Sequence, residues 1–203
     1  DLLRQRIDRG DSLDGALRYV DRALEKRGVT AFDRGRSADR NEAVASTLAM
    51  SMDLLDGADR ARCAQLAIFP EDIAIPSAVL GELWGLDDLD LEDALSRLHD
   101  ASLIDFDLGT GTVRIHDVMR ACFATLLGQD TVATHSRLLG AWPEVRRLPH
   151  RYAWRWLGHH LLEAGQGSEL RALLLDFDWL HREPAATDIY SLLTDLSCLP
   201  GDP

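Results

Sequence analysis

The sequence predicts a mainly α-helical protein, in which a winged-helix domain with a β-hairpin wing is followed by an all-α helical array. Three observations predict this fold. Apolar residues recur at helical spacing through most of the chain. Two short β-like runs, 103–107 and 112–116, are separated only by the turn-forming stretch "LGTG". After Gly128 the pattern is again purely helical, with breaks at Gly, Pro or Asp.

Residues 1–37 are interpreted as the end of a preceding small helical domain, together with a linker. "SLDGALRYVDRALEKRG" predicts a helix that Ser12 can cap and that ends at Gly28. The stretch over 29–39 contains Gly and Ser and has no apolar period, as is typical of a linker.

Residues 38–128 carry the pattern of the winged helix, and residues 129–203 that of the helical domain. One helix is expected to open at Asp39 or Asn41, and another covers "DGADRARCAQLAIFPED". A short apolar piece, "IAI", is ended by a proline, and two more helices follow it. The second of them, "LDLEDALSRLHDASL", begins with acids, which the helix dipole favours there. The hairpin and a helix over Asp117–Leu127, expected to pack behind the wing, complete the domain.

Composition restricts the partners and the compartment. The formal net charge of −12 disfavours duplex DNA and acidic membranes, since both are polyanions. Cys63, Cys122 and Cys198 form no CxxC pair, so they predict buried thiols in a reducing cytosol rather than disulfides or a zinc site. No apolar run is long enough to span a bilayer, and the charged start "DLLRQRIDRGD" is unlike a signal peptide. We therefore expect a cytoplasmic piece of a longer protein with no membrane partner.

Motifs of known chemistry are mostly absent from the sequence. There is no GxSxG, HExxH or GxxxxGK[ST] motif, so we expect no catalytic residue and no enzyme activity from this chain alone. "GTGTVR" lacks a third glycine and leads into a strand, which indicates a hairpin turn. "GLDDLDLEDAL" lacks the spacing of a calcium loop. "GHHLLE" offers His159, His160 and Glu163, but without a convincing third ligand it predicts a packed or surface histidine pair and no metal.

DNA binding is the alternative that a winged helix suggests. The helix that would enter the major groove is acidic, with only Arg97 and His99 to offset its acids, so repulsion by phosphates is expected. A passive helical interaction scaffold is the other alternative, and it would bury His116 without an interdomain partner. The acids of the helix that would enter the major groove are Asp90, Glu92, Asp93 and Asp100.

Three segments in order, "CAQLAIFPEDIAIPSAVLGELWG", "LEDALSRLHDASLIDFD" and "VRIHDVMR", resemble the winged-helix domain of the NB-ARC (STAND) signal-transduction ATPases. "RYAWRWLGHHLLEAGQGSELRALLLDFDWL" is similar to the helical domain that follows in the branch of apoptotic protease-activating-factor-like proteins. The resemblance covers roughly Ala38 to Leu196, and residues 1–30 resemble the tail of the small helical domain before it.

The resemblance implies a nucleotide-sensing role for two residues. In that family the histidine of an MHD motif contacts the β-phosphate of ADP and holds a closed state. The matching residues here are His116 and Asp117, with Ile115 in place of the methionine. Asp117 is expected to cap the next helix and so to orient His116. The alternative for His116 is an ordinary structural histidine at a strand end.

The same resemblance implies the partners of the chain. It implies no cofactor in this fragment, but ADP or ATP with Mg²⁺ in the full-length protein, bound by a nucleotide-binding domain upstream in the same chain. A β-propeller or another repeat sensor would follow downstream, and activation would produce a homo-oligomer. The sensed ligand, the effector domain and the oligomer size are left open.

Overall fold

The structure is a computed structural model that describes residues 51–52 and 55–198. The helix expected over 12–28 and the linker over 29–39 lie outside these described residues. The described chain forms two compact units, residues 51–77 with 86–127 and residues 78–85 with 128–198. The domain limits given above stay a prediction. The units differ from them in one respect, because residues 78–85 pack with the second unit.

The first part of the described chain alternates short helices with very short strands, as a winged helix does. In chain order its elements are α1 (Gly57–Gln65), a 3₁₀ turn (Leu66–Ile68), β1 (Ile75–Pro76), α2 (Ser77–Trp84), α3 (Asp88–Asp100), β2 (Asp105–Asp107), β3 (Thr112–Arg114) and α4 (Asp117–Leu127).

The strands form one antiparallel sheet in the order β1-β3-β2. Val113 at its centre is fully buried and pairs with Ile75 on one side and Phe106 on the other. The sequence had suggested that Pro76 ends this apolar piece, but Pro76 is part of β1. Because β1 is an edge strand, proline is tolerated there. The hairpin turn is held by Asp107, whose Oδ1 accepts hydrogen bonds from the N–H groups of Gly109 and Thr110 at 2.9 and 3.2 Å.

The core of the first unit forms where α4 packs on α1 and on the 3₁₀ turn. The apolar side chains at these contacts are removed from water, and this burial is the main driving force of folding. The mainly α winged helix is confirmed. Its fully or almost fully buried side chains are Leu66, Phe69, Ile75, Leu95, Leu98, Leu103, Val113 and Phe123.

The second unit is all-α, as the sequence predicts, and α6 is its centre, in contact with α5, α7, α8 and α9. One predicted short helix, "FDWLHR", is longer in the structure and includes Pro184 near its end. The elements are a 3₁₀ turn (Gly128–Asp130), α5 (Thr131–Gly140), a 3₁₀ turn (Val145–Arg147), α6 (Arg151–Glu163), α7 (Gly167–Leu174), α8 (Phe177–Ala186) and α9 (Ile189–Cys198).

Residues 78–85 join the second unit through hydrogen bonds to one carboxylate. Glu82 Oε2 accepts a bond from Trp142 Nε1 at 2.7 Å and lies 3.1 Å from His150 Nε2. His150 Nδ1 accepts from the Ala153 N–H at the start of α6, so its proton is on Nε2 and is donated to Glu82. A polar network therefore ties α2 to the helical array.

Two further expectations concern cysteines and membranes. Cys63 is buried, but Cys122 is half-buried and Cys198 is exposed, so the expectation of three buried thiols is wrong for the last two. Cys198 is the last residue of α9. Over 51–52 and 55–198, no helix has the length and apolar character needed to cross a bilayer.

Candidate functional site

His116 lies in the short connection between β3 and α4, and its backbone is held from both sides. β3 is paired with both other strands, and the Arg120 N–H donates to the His116 carbonyl at 2.9 Å to close the first turn of α4. The Arg120 guanidinium also donates to the carbonyls of Ala67 and Phe69, at 3.4 and 3.3 Å, and pairs with Glu71. The sheet and the segment of the 3₁₀ turn after α1 therefore fix the backbone position of His116.

The side chain of His116 is exposed. Within the described part of the chain, its ring makes no hydrogen bond and no ion pair. The buried histidine required by the scaffold alternative is therefore not what the structure shows. Asp117 is also exposed, and Val118 beside it is 41% exposed, which leaves an open surface of three consecutive residues.

The expected cap by Asp117 does not form. Asp117 is the first residue of α4 rather than the residue before it, and no described backbone N–H donates to its carboxylate. A capping residue must lie outside the helix with an extended backbone, so that its side chain can reach back to the N–H groups of the first turn. The carboxylate of Asp117 still lies at the positive end of the helix dipole, which favours an acid.

The part of this open surface that can bind an anion is the imidazole ring of His116. An imidazole N–H of His116 can donate to a phosphate oxygen, and the unpaired N–H groups at a helix start favour negative charge. The carboxylate of Asp117 opposes an anion placed directly against the helix end. A phosphate would therefore be reached by the His116 ring, rather than seated on the helix end.

The basic residue of the would-be DNA-reading helix is already engaged. Arg97 Nε donates to Asp59 Oδ2 at 2.7 Å, and Arg62 NH1 donates to Oδ1 of the same carboxylate at 2.6 Å. Burial alone would raise the pKa of Asp59, but the bonds and charges of the two arginines outweigh it and hold that pKa below its ordinary value of 3.8. Asp59 is therefore ionised, and the guanidinium of Arg97 is already engaged in an ion pair with it.

The histidines considered as a metal pair have a third member that sequence spacing does not reveal. His135 on α5 lies against α6, and its Nδ1 is 2.8 Å from His160 Nδ1. His159 is next to both, whereas Glu163 is exposed and lines a pocket together with His159. Twenty-five positions separate His135 from His160, so only the packing of α5 on α6 brings them together.

Comparison with known proteins agrees with the resemblance seen in the sequence. Residues 142–199 match the family described as the APAF-1 helical domain. Apoptotic protease-activating factor 1 of Danio rerio is 22% identical over 187 residues, which cover 87% of this chain and 15% of that protein. The proteins of the same name from Rattus norvegicus and Homo sapiens are 24% and 23% identical, over 80% of this chain.

The chain spans about 15% of the length of these relatives. The described part of the matched family segment, residues 142–198, falls within the second unit, which is all-α over its described residues. Residues 142–199 of the protein are therefore similar to the APAF-1 helical domain.

Proposed function

We propose that this chain is the regulatory region of an NB-ARC (STAND) signal-transduction ATPase, which holds the ADP-bound, closed state through His116. The observation that supports the proposal most strongly is the His116 ring itself. It is exposed in the connection that follows β3, on a backbone anchored by the sheet and by Arg120. A histidine that served only the core would be buried.

In the proposed closed state, an imidazole N–H of His116 donates to the β-phosphate of ADP. The nucleotide-binding domain, upstream in the same chain, supplies the phosphate loop and the Mg²⁺ ligands. The winged helix therefore adds one contact that exists only when the protein is closed. When the sensor binds its ligand, the winged helix moves away, the nucleotide exchanges and protomers assemble into a homo-oligomer.

A single contact of this kind can supply part of the free energy that the switch requires. Moving an equilibrium from 1:99 to 99:1 takes about 5.5 kcal/mol of differential binding. A hydrogen bond to a charged group contributes about 1.5–3 kcal/mol. The His116 contact can thus supply a substantial part of the bias toward the closed state, and interdomain contacts supply the rest.

The helical unit is proposed to connect the winged helix to a downstream sensor, either a β-propeller or another repeat domain. Support comes from the match of residues 142–199 and from the small share of each relative that the chain covers. The all-α array around α6 suits a rigid connection, because each of its helices packs directly on α6 or on a neighbour that does.

The test uses the full-length protein and the variant His116→Ala. We expect the variant to retain less ADP after purification and to shift toward the assembled state, because the closed state alone loses a contact. Nucleotide content and size-exclusion profile are measured beside the wild type. His181→Ala, which removes another exposed histidine, is the matched control and should behave as the wild type.

Equal ADP content and a monomeric profile for wild type and His116→Ala would contradict the proposal. Asp117→Asn separates the two motif residues, since it removes the exposed charge at nearly constant size. Because no residue that the structure describes donates a hydrogen bond to the Asp117 carboxylate, we expect a smaller loss of ADP than for His116→Ala. A larger loss would assign the sensing role to the carboxylate.

A further inference from the structure

Three imidazole rings from two helices meet inside the second unit. His135 on α5 and His160 on α6 are almost fully buried, with ring centroids 5.0 Å apart, and His159 is half-buried beside them. His159 lies 5.6 Å from His135 and 5.1 Å from His160, between ring centroids. One ring nitrogen of each of the three residues lies within 4.8 Å of the others.

We propose that His135, His159 and His160 form a binding site for a divalent transition metal, with Zn²⁺ as the ion that fits best. Imidazole is a ligand of choice for Zn²⁺, Cu²⁺ and Ni²⁺, and a three-histidine set with a fourth open position is a known zinc arrangement. No carboxylate or thiolate is required. The helical region would thus carry a site that its similarity to other proteins does not indicate.

The spacing of the nitrogens suits a tetrahedral ion after small ring rotations. With Zn–N bonds of about 2.0–2.1 Å, two ligand nitrogens of a tetrahedral site are about 3.3 Å apart. His135 Nδ1 and His160 Nδ1 are 2.8 Å apart, so this pair must open by about half an ångström. The other pairs lie within 4.8 Å and close by rotation of the His159 ring, which is only half-buried.

The environment keeps the ligands in the form that a metal needs. Metal-bound histidine must be neutral, so a cationic cluster would have to release protons first. Burial, and then the charge of His159, lower the pKa of His135 to about 4. Burial also lowers the pKa of His160 well below its ordinary value, with smaller contributions from His159 and His135. Both rings are therefore neutral at physiological pH.

Tyr152 provides the outer hydrogen bond that ligating histidines need. Its hydroxyl lies 3.0 Å from His160 Nε2, on the side of the ring away from His135. When Nδ1 of His160 binds the ion, Nε2 carries the proton and donates it to the Tyr152 oxygen. Such a bond fixes the tautomer and the ring orientation, and it raises ligand basicity.

A path to solvent runs along His159. This ring lines a pocket of about 190 Å³ together with Glu163, Asp195 and Cys198, among others. An ion can enter from this side, whereas His135 and His160 are closed off by packing. The fourth coordination position is then available to water. Because Cys198 shares the pocket, a thiol site must be separated from the histidine site by experiment.

The test titrates the chelator-treated 203-residue chain with Zn²⁺ in competition with a chromophoric chelator. We expect one ion per chain in the wild type, and affinity lower by at least about tenfold in His135→Gln and in His159→Gln. His181→Gln, an exposed histidine of the same unit, should bind as the wild type does. Zn²⁺ should also raise the melting temperature of the wild type, and EDTA should reverse this.

Two further measurements keep the test decisive if a histidine variant does not fold. Tyr152→Phe keeps the ring packing but removes the outer hydrogen bond, and should weaken Zn²⁺ binding about 10–100-fold. Co²⁺ bound to the wild type should give the intense visible absorption of a tetrahedral ion. The proposal is overturned if the wild type shows no saturable binding, or if the wild type and the histidine variants bind with equal affinity. It is also overturned if Cys198→Ser is the only variant that loses binding.

Discussion

Gly158 shows how one residue decides the packing of a whole helix. It lies inside α6, where glycine is normally about 1 kcal/mol less favourable than alanine. A Cβ at this position would lie 2.4 Å from the carboxyl atoms of Asp195 on α9. The missing side chain is therefore what lets α9 approach α6.

We expect Gly158→Ala to lower the free energy of unfolding by about 1–3 kcal/mol, as overpacking does, despite the better helix propensity of alanine. Urea unfolding of the chain measures this change. Gly140→Ala is the matched control, since a Cβ there has open space, and it should leave stability unchanged or raise it slightly. A stabilised Gly158→Ala variant would mean that α9 does not lie against α6 as described.

Asp195 and Glu183 are acids buried within one unit. Burial raises the pKa of Asp195 to about 7. Burial raises the pKa of Glu183 to about 7 as well, with the charge of Asp195 adding to the effect. Because these pKa values are higher in the fold than in the unfolded chain, the fold is favoured below about pH 4 and loses stability as the pH rises toward about 7.

The corresponding prediction is that the wild type loses about 2 kcal/mol or more of unfolding free energy between pH 5 and pH 8. Asp195→Asn cannot ionise and removes one charge from beside Glu183, so it should lose distinctly less over the same range. Urea unfolding at the two pH values gives the comparison. Parallel losses in variant and wild type would show that Asp195 is not responsible.

At the scale of single elements, α3 shows that local signals predict helix limits well. Asp87 precedes the helix with an extended backbone, and its Oδ1 accepts bonds from the N–H groups of Leu89 and Asp90. Acids follow in the first turn, as the sequence indicated. The same reasoning failed for Asp117, because α4 begins one residue earlier than a cap at that position requires.

The acidic surface of α3 leads to a prediction about DNA. Arg97 is held by Asp59, so the helix offers little free positive charge against its acids. We expect no shift of duplex DNA by the chain at physiological salt. An electrophoretic mobility assay over a range of salt concentrations measures this, with Arg97→Ala expected to match the wild type. A salt-dependent, sequence-selective shift would restore the DNA-binding alternative.

At the scale of the whole molecule, the proposed division of labour limits what this chain can bind alone. One hydrogen bond to a phosphate contributes about 1.5–3 kcal/mol, whereas a millimolar Kd needs about 4.1 kcal/mol. We therefore expect the isolated chain to bind ADP with a Kd weaker than about 1 mM by calorimetry. Micromolar binding would mean that it holds a nucleotide pocket of its own.

The sequence alone was enough for features that depend on near neighbours in the chain. Apolar spacing gives the helices, because residues three and four apart share a helix face. The glycine-rich turn between two alternating runs gives the wing. The position of His116 follows from the ordered motifs around it, and the structure adds that its ring is exposed.

Only the tertiary structure decided which distant residues meet. His135 joins His159 and His160 because α5 packs on α6, and residues 78–85 join the helical unit because Glu82 accepts bonds from Trp142 and His150. Such contacts depend on how helices of similar pattern are oriented against one another. Many orientations satisfy the same apolar spacing, so the pattern along the chain cannot select among them.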